Sequence, residues 1–413
     1  MYEEKLIEIF TKYQQEHLIS DILALSVAEQ VQLLDQLEKT LPNEHRTKPF
    51  VISSYEILSE KNHAIAKSSA DFKDKHLGVI VMAAGQGSRL GIDIPKGMIE
   101  ITPIKNKTLF QLLCEKVKAS ERYYQCRITL FIMLSEENSN QVKAFFIKQK
   151  LFGLHSSQVK FFTQPNALMA DEWGKWVWQS KGILLAGPNG NGALFKSFEM
   201  ANYTSFCEEN KIDHLFVLPI DNPLAPPIDE ELFSLHEEKQ SDMTLAAIKQ
   251  DDETKNMGGF VTVDRQIRVV EYFESEDLFE LLNIGYYLFS LTFIKQMAQV
   301  KLPYHIAKKR GYLKKEQFIF DGLAFTEKTV VVIKKKEDFF APIKDAILPV
   351  QTKLIKRDKE IFSRLFKTQM PVDDIELSME MHFPTQEVIK KCEKIKNLSI
   401  KYIDEDLVSQ WEI

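Results

Sequence analysis

The chain has 413 residues, 44% hydrophobic and 27% charged, with 53 Lys and Arg against 59 Asp and Glu for a formal charge of −6. That length suits one large domain with extensions, or two to three domains, with ample apolar residues for a core. The acidic balance excludes a general nucleic-acid binder, whose phosphate contacts need a basic excess. No apolar run nears the ~20 residues that span a bilayer.

Acidic residues in the opening "MYEEKLIEIF" stand where a secretory signal would be basic, so a cytoplasmic protein is expected. The four cysteines (Cys114, Cys126, Cys207, Cys392) form no CxxC pair, which points to reduced thiols and no structural zinc. Residues 1–75 read as an N-terminal helical subdomain. Leu6 and Phe10, then Leu18, Ile22 and Leu25, then Val31, Leu34 and Leu37 recur at helical spacing, until Pro42 and "PNEHRTKP" end the pattern.

From Leu77 short buried-type strands, "LGVIVMA", "RITLFIML", "HLFVLPI" and "SDMTLAAI", alternate with helical segments near 108–120, 138–149 and 192–210. Such alternation predicts βαβ units and an α/β domain over 76–349, with ligands at the carboxyl ends of the strands. "GGFVTVDRQIRVVEYFE" alternates like a hairpin, and "LNIGYYLFS" reads as a further strand. Residues 350–413 are charged and mixed, with a helical pattern near 384–394 and a possible strand, "LSIKYI". They are taken as a small C-terminal extension.

The first strand runs into "MAAGQGSRLGIDIPKG", Met82 to Gly97. A glycine loop after a buried strand points its backbone N–H groups at a phosphate. No register supplies the GxxxxGK[ST] of an ATP loop. Gly85, Gly87 and Gly91 are one residue too long for GxGxxG, and "IKNKTLF" stands where a dinucleotide site needs its acidic residue. A nicotinamide-dependent oxidoreductase is disfavoured on that spacing. Arg89 inside the loop and Lys96 after Pro95 suit a triphosphate whose leaving group carries extra charge. Asp221 closes "FVLPID", where a carboxylate can hold Mg²⁺ against phosphates.

Strand, glycine loop with internal Arg, and Pro-Lys together resemble the sugar nucleotidyltransferases. "FFTQ" (161–164), "GPNGNGAL" (187–194), "LPIDNPL" (218–224), "VVEY" (269–272), "NIGYYLFS" (283–290), "LPYHIAKK" (302–309), "FIFD" (318–321) and "EDFFAPIKD" (337–345) follow in order. This set resembles the eukaryotic-type UDP-N-acetylhexosamine pyrophosphorylases over roughly Leu77 to Asp345. The UDP-glucose enzymes carry Gly-His-Gly where this chain has Gly190-Asn191-Gly192.

The resemblance implies a Rossmann-like nucleotidyltransferase domain with a mixed central sheet. It also implies that UTP and a sugar-1-phosphate, preferably N-acetylglucosamine-1-phosphate, give UDP-sugar and pyrophosphate with Mg²⁺ as cofactor. Arg89, Lys96 and Lys344 would act on the phosphates. Ala84, Gly85, Gly87, Gln164, Pro188, Gly190 and Asp221 would bind the nucleotide, with Asp221 on the metal and Asn222 assisting. Asn191, Asn222, Gly258, Glu271, Tyr272, Asn283, Phe318 and Phe320 would face the sugar, and His305 is left as structural. Departures are Pro165 after Gln164, Asn189 and Ala193 for an Asp and a Gly, and Gly285-Tyr286-Tyr287 after Asn283-Ile284, where two tyrosines would narrow the sugar pocket. The alternatives are a UTP–glucose-1-phosphate or broad-specificity uridylyltransferase, or a catalytically weak UDP-sugar binder. A monomer or weak homo-oligomer is expected, with no nucleic-acid or membrane partner.

Overall fold

The computed structural model describes residues 2–41, 52, 55–58, 70–87, 90–252, 254, 256–309, 311–367, 374–393 and 401–404. Its centre is a ten-stranded mixed sheet. The strands are β1 Glu56–Ile57, β2 His76–Met82, β3 Arg127–Ser135, β4 Val159–Gln164, β5 His214–Pro219, β6 Met243–Lys249, β7 Gly259–Val263, β8 Gln266–Val270, β9 Leu281–Ser290 and β10 Thr329–Ile333. Along the main path the order is β1-β7-β9-β5-β2-β3-β4; β6 pairs with β9 and β10, and β8 with β7. β5, β2, β3 and β4 run parallel, so Pro219, Met82, Ser135 and Gln164 end at one edge. β9 runs antiparallel to both β5 and β6, and β7 with β8 is the hairpin expected from its alternation.

Strands sandwiched between two layers need apolar residues on both faces, which is why β2 and β3 read as nearly unbroken hydrophobic runs. Val79 and Val81 join one buried cluster and Ile80 the other. The first cluster packs the helix Leu109–Tyr124, which Thr108 caps by accepting from the Gln111 N–H. The helix expected across 192–210 is interrupted: Leu194–Met200 and Tyr203–Glu209 are separated by Asn202 in the left-handed conformation at φ 58°.

The helices Tyr2–Lys12, Ile19–Leu23 and Val27–Thr40, with the turns that join them, bury Leu6, Phe10, Leu18, Ile22, Leu25, Leu33, Leu34 and Leu37 against Leu168, Trp176 and Leu184. Val31 is instead 45% exposed, because Leu33, Leu34 and Leu37 define the buried face of its helix. Pro42 and the polar stretch after it lie outside the described residues. Beyond the sheet a long helix, Leu348–Phe366, carries Pro in its first turn, where its missing N–H costs nothing. It is followed by Gln386–Cys392 and by Tyr402–Ile403, which pairs with Glu376–Leu377. Residues 398–400 of "LSIKYI" lie outside the described residues.

Candidate active site at the carboxyl edge of the sheet

The loop after β2 folds back on itself. The Gly87 N–H donates to the Ile94 carbonyl at 2.9 Å, the Lys96 N–H to the Gly85 carbonyl at 3.1 Å, and Gln86 bridges Pro95. A Cβ on Gly87 would lie 3.1 and 3.2 Å from the carbonyl oxygens of Ile92 and Ile94, so this tight return requires glycine. The return lays Lys96 alongside Gly85 and aims its ammonium at the end of β5. Lys96 Nζ donates to Asp221 Oδ2 at 2.7 Å and to the Ile343 carbonyl at 3.4 Å. Arg89 lies outside the described residues. Ala84 is half-buried and Gly85 exposed at the mouth of this loop.

A second segment, 339–343, is stapled beneath. Asn222 is buried; its Nδ2 donates to the Phe339 carbonyl at 2.9 Å and its Oδ1 accepts from the Ala341 N–H at 3.0 Å. The Ile343 N–H donates to the Asp221 carbonyl at 2.8 Å. Lys344, exposed, follows directly. Glycine loop, Lys96, Asp221 and the approach to Lys344 therefore share one patch.

Among the described residues no group of three or more His, Cys, Asp or Glu is placed to hold a metal. Asp221 alone still fits Mg²⁺, which is commonly held by one or two carboxylates with phosphate oxygens and waters completing its shell.

At the end of β4, Gln164 is buried and its Oε1 has no hydrogen-bond partner. A solvent-facing Gln would not incur that cost, and the buried open amide acceptor is able to take a ligand's donor. Next to it the Asn189 N–H donates to the Pro165 carbonyl at 3.0 Å. Asn189 Nδ2 donates to Gln317 Oε1 at 3.2 Å, while its Oδ1 is buried without a partner. The Pro188 carbonyl accepts from Lys314 Nζ at 2.6 Å. Gly190 has φ +89°, and a Cβ there would sit 2.3 Å from the Gln317 carbonyl oxygen. Asn191 Oδ1 accepts from the Ile319 N–H at 2.9 Å. The segments 188–192 and 317–319 are thus zipped together.

On the far side Gly258, Glu271 and Asn283 converge. A Cβ on Gly258 would lie 3.1 Å from Glu271 Oε1, and the Asn283 N–H donates to the Gly258 carbonyl at 2.9 Å. Burial first, and the charge of Glu274 second, push the Glu271 carboxyl up to about 7. Asn283 Nδ2 donates to the Tyr287 hydroxyl at 2.9 Å. The Phe318 and Phe320 rings stack at 5.0 Å. Tyr272 is exposed, against Phe273.

These findings meet a family-level match. The family model described as UTP–glucose-1-phosphate uridylyltransferase matches residues 24–407. The chain belongs to that family. It is 32% identical over 292 residues to the "Probable UDP-N-acetylglucosamine pyrophosphorylase" of Encephalitozoon cuniculi, covering 67% of this chain and 82% of that one. It spans between 60% and 66% of the length of other curated relatives. The structure of a putative UDP-N-acetylglucosamine pyrophosphorylase from Entamoeba histolytica is similar at 25% identity with TM-score 0.70, over 81% of this chain and 92% of that one. The pyrophosphorylase from Trypanosoma brucei, solved with an inhibitor, shares the fold at 20% identity with TM-score 0.72 over 98% of each chain.

Within this uridylyltransferase family member the tyrosine pair divides. Tyr286 is fully buried against Phe216 and Phe339 and does not narrow a pocket; only Tyr287 reaches Asn283. Consecutive strand positions face opposite sides, which parts them, and Gly285, φ +73°, lies in the β9 bulge opposite Leu245 to Ala247 of β6. Local sequence pattern singles out none of Glu274, Gln317 and Asp321, and leaves His305 as structural. His305 is 2% exposed and touches two carboxylates. The signal available was its place in "PYHIAKK", close in sequence to "FIFD".

Proposed function

We propose that this family member transfers the uridylyl group of UTP to N-acetylglucosamine-1-phosphate, releasing pyrophosphate. The observation that carries the reading is Lys96, laid beside Gly85 and ion-paired with Asp221 at 2.7 Å. A cation and a hard anion side by side at the carboxyl edge suit a polyphosphate with its metal: the ammonium goes to phosphate and the carboxylate to Mg²⁺. Mg²⁺, held by Asp221, would neutralise charge on the α-phosphate and the departing pyrophosphate.

The attacking group is a phosphate oxygen of the sugar-1-phosphate, already an anion, so no side chain need remove a proton. The protein's task is alignment and charge neutralisation. Gly85, Gly87 and Ala84 admit the nucleotide's phosphates, Lys96 with Arg89 and Lys344 attracts the leaving pyrophosphate, and Asn222 fixes the Lys344 segment. Gln164 presents a buried amide to uracil, with Pro188 and Gly190 closing over it. Glu271 and Asn283 offer acceptors and a donor to sugar hydroxyls, with Gly258 leaving room beside them. Asn191, Tyr272, Phe318 and Phe320 complete that side.

The relatives named for N-acetylglucosamine support the sugar; the family's own description favours glucose as the second reading. We take 76–349 as the catalytic unit, with 1–75 and 350–413 as supporting parts. The buried free thiols suit a reducing, cytoplasmic setting, and a monomer or weak homo-oligomer suffices for one such site.

Pyrophosphate release should be measured with UTP, Mg²⁺ and, in parallel, N-acetylglucosamine-, N-acetylgalactosamine- and glucose-1-phosphate. Preference for N-acetylated sugars supports the reading, and preference for glucose-1-phosphate transfers it to the second one. No release with any of them defeats the catalytic assignment in favour of a UDP-sugar binder.

A further inference from the structure

We infer that His305 is a positioning residue for the sugar, fastening the loop that carries Glu271 to the segment that carries Phe318 and Phe320 through two carboxylates. This deepens the proposed function and rests on it.

His305 opens the strand His305–Lys309, buried at 2% exposure. Its Nδ1 meets Glu274 Oε1 at 2.5 Å, and its Nε2 meets Asp321 Oδ1 at 3.0 Å and Oδ2 at 3.2 Å. A neutral imidazole has one N–H, so two ionised carboxylates on opposite nitrogens are both satisfied only by the doubly protonated ring. Each carboxylate then holds a backbone amide. The Glu271 N–H donates to Glu274 Oε2 at 3.2 Å, and the Phe318 N–H donates to Asp321 Oδ2 at 3.2 Å. The imidazolium also lies 4.9 Å from the Phe318 ring, a favourable placement for a cation beside an aromatic face. One buried cation therefore fixes the main chain at both a hydroxyl-binding carboxylate and an aromatic wall.

The electrostatics agree. Burial alone would lower the imidazolium's pKa, but Asp321 and Glu274 outweigh it and raise the pKa to about 10. The other charged groups around it are Glu271, Glu316, paired with His305 across the strands, Lys314, bound to Glu316, and Arg268, which senses Asp321. His305 in turn lowers the Glu271 pKa against the upward push of burial. Its loss would leave Glu271, Glu274 and Asp321 crowded together.

The test compares wild type with His305→Gln, which drops the charge, and with Glu274→Gln, which weakens one side of the clamp. KM for N-acetylglucosamine-1-phosphate, KM for UTP and kcat would be measured between pH 6 and 9, with thermal melting as the folding control. The sugar-phosphate KM of His305→Gln is expected to rise on the order of tenfold while the UTP KM stays within about twofold. The pH above which the sugar KM improves should also move upward. Glu274→Gln should shift the sugar KM the same way by less, and it decides the matter if His305→Gln does not fold. Parallel changes in both KM values, or none in either, overturn the inference. A wild type that turns over none of the sugar phosphates instead defeats the functional reading on which it rests.

Discussion

Lys96 and Asp221 keep 18% and 25% of their side chains exposed. A pair this covered lies between the solvent-exposed case, about 0–1 kcal/mol, and the fully buried one, so the fold gains a modest amount from it. Removing a donor aimed at developing charge costs on the order of 10²–10³ in turnover. Lys96→Ala should therefore lower the melting temperature modestly and lower kcat by about that factor, with UDP-sugar affinity altered only a few-fold. Equal small losses in kcat and affinity, from steady-state kinetics and calorimetry, would remove Lys96 from the leaving-group side. Glu271 supports a second expectation. Its carboxyl, raised to about 7, is neutral below that pH and an ionised double acceptor above it. The sugar-phosphate KM should fall as pH rises through about 7 in wild type, and Glu271→Gln should flatten that inflection. The substrate phosphate's own ionisation, near ~6, is common to both proteins, so the difference isolates the side chain. The loop that would hold the phosphates was legible in sequence because one short segment carries Gly85, Gly87 and Lys96 in order. The His305 clamp was not, because its partners stand 31 residues before it and 16 after it and meet only once β8 and the 319–325 turn have packed.

Elements carry their own consequences. Gly190 has φ +89° and sits against the Gln317 backbone, whereas Gly285, at φ +73°, would place its Cβ no closer than 3.9 Å to the Pro219 side chain. Gly190→Ala meets both backbone strain and overpacking, together about 3 kcal/mol or more, and Gly285→Ala meets strain alone, about 1–2 kcal/mol. Denaturant melts of the two variants should preserve that order; a reversed order would mean that the 188–192 segment can move away from Gln317. The core strands were readable because burial on both faces forces apolar runs. The helix Leu348–Phe366 was not, since its charged, mixed sequence hides the apolar face and Pro349 stands inside its first turn. That helix reaches the site's supports: Arg357 Nη1 donates to the carbonyls of Leu224 at 3.2 Å and Asp338 at 2.6 Å. It bridges the loop after Asp221 to the segment before Lys344, a tie invisible to local pattern because it joins parts of the chain 133 and 19 residues distant.

The molecule as a whole places its N-terminal helices behind the segment that ends in Pro188, Asn189 and Gly190. Phe10 packs edge-on to Trp176 at 5.5 Å, and Leu6, Leu33 and Leu37 share one apolar cluster with Leu168 and Leu184. Two amides key the contact: Gln15 Oε1 accepts from the Trp176 N–H at 2.8 Å, while Gln36 Nε2 donates to the Leu184 carbonyl at 2.7 Å and Gln36 Oε1 accepts from the Leu184 N–H at 2.8 Å. Leu184 lies two residues before the strand Ala186–Pro188, which pairs with Asn166–Ala170 directly after Gln164. The helices therefore brace, from outside the central sheet, a pair of short strands whose ends adjoin Gln164 and carry Pro188, where the nucleotide's base would lie. Gln36→Leu removes both hydrogen bonds and leaves the Leu184 amide unpaired, at a cost of about 1–3 kcal/mol. If the brace serves the nucleotide, Gln36→Leu should raise the KM for UTP several-fold and leave the sugar-phosphate KM close to wild type, the opposite selectivity to His305→Gln. Steady-state kinetics at saturating co-substrate reads this directly. A melting temperature lowered with both KM values unchanged would reduce the N-terminal helices to a stabilising cap that does not reach the site.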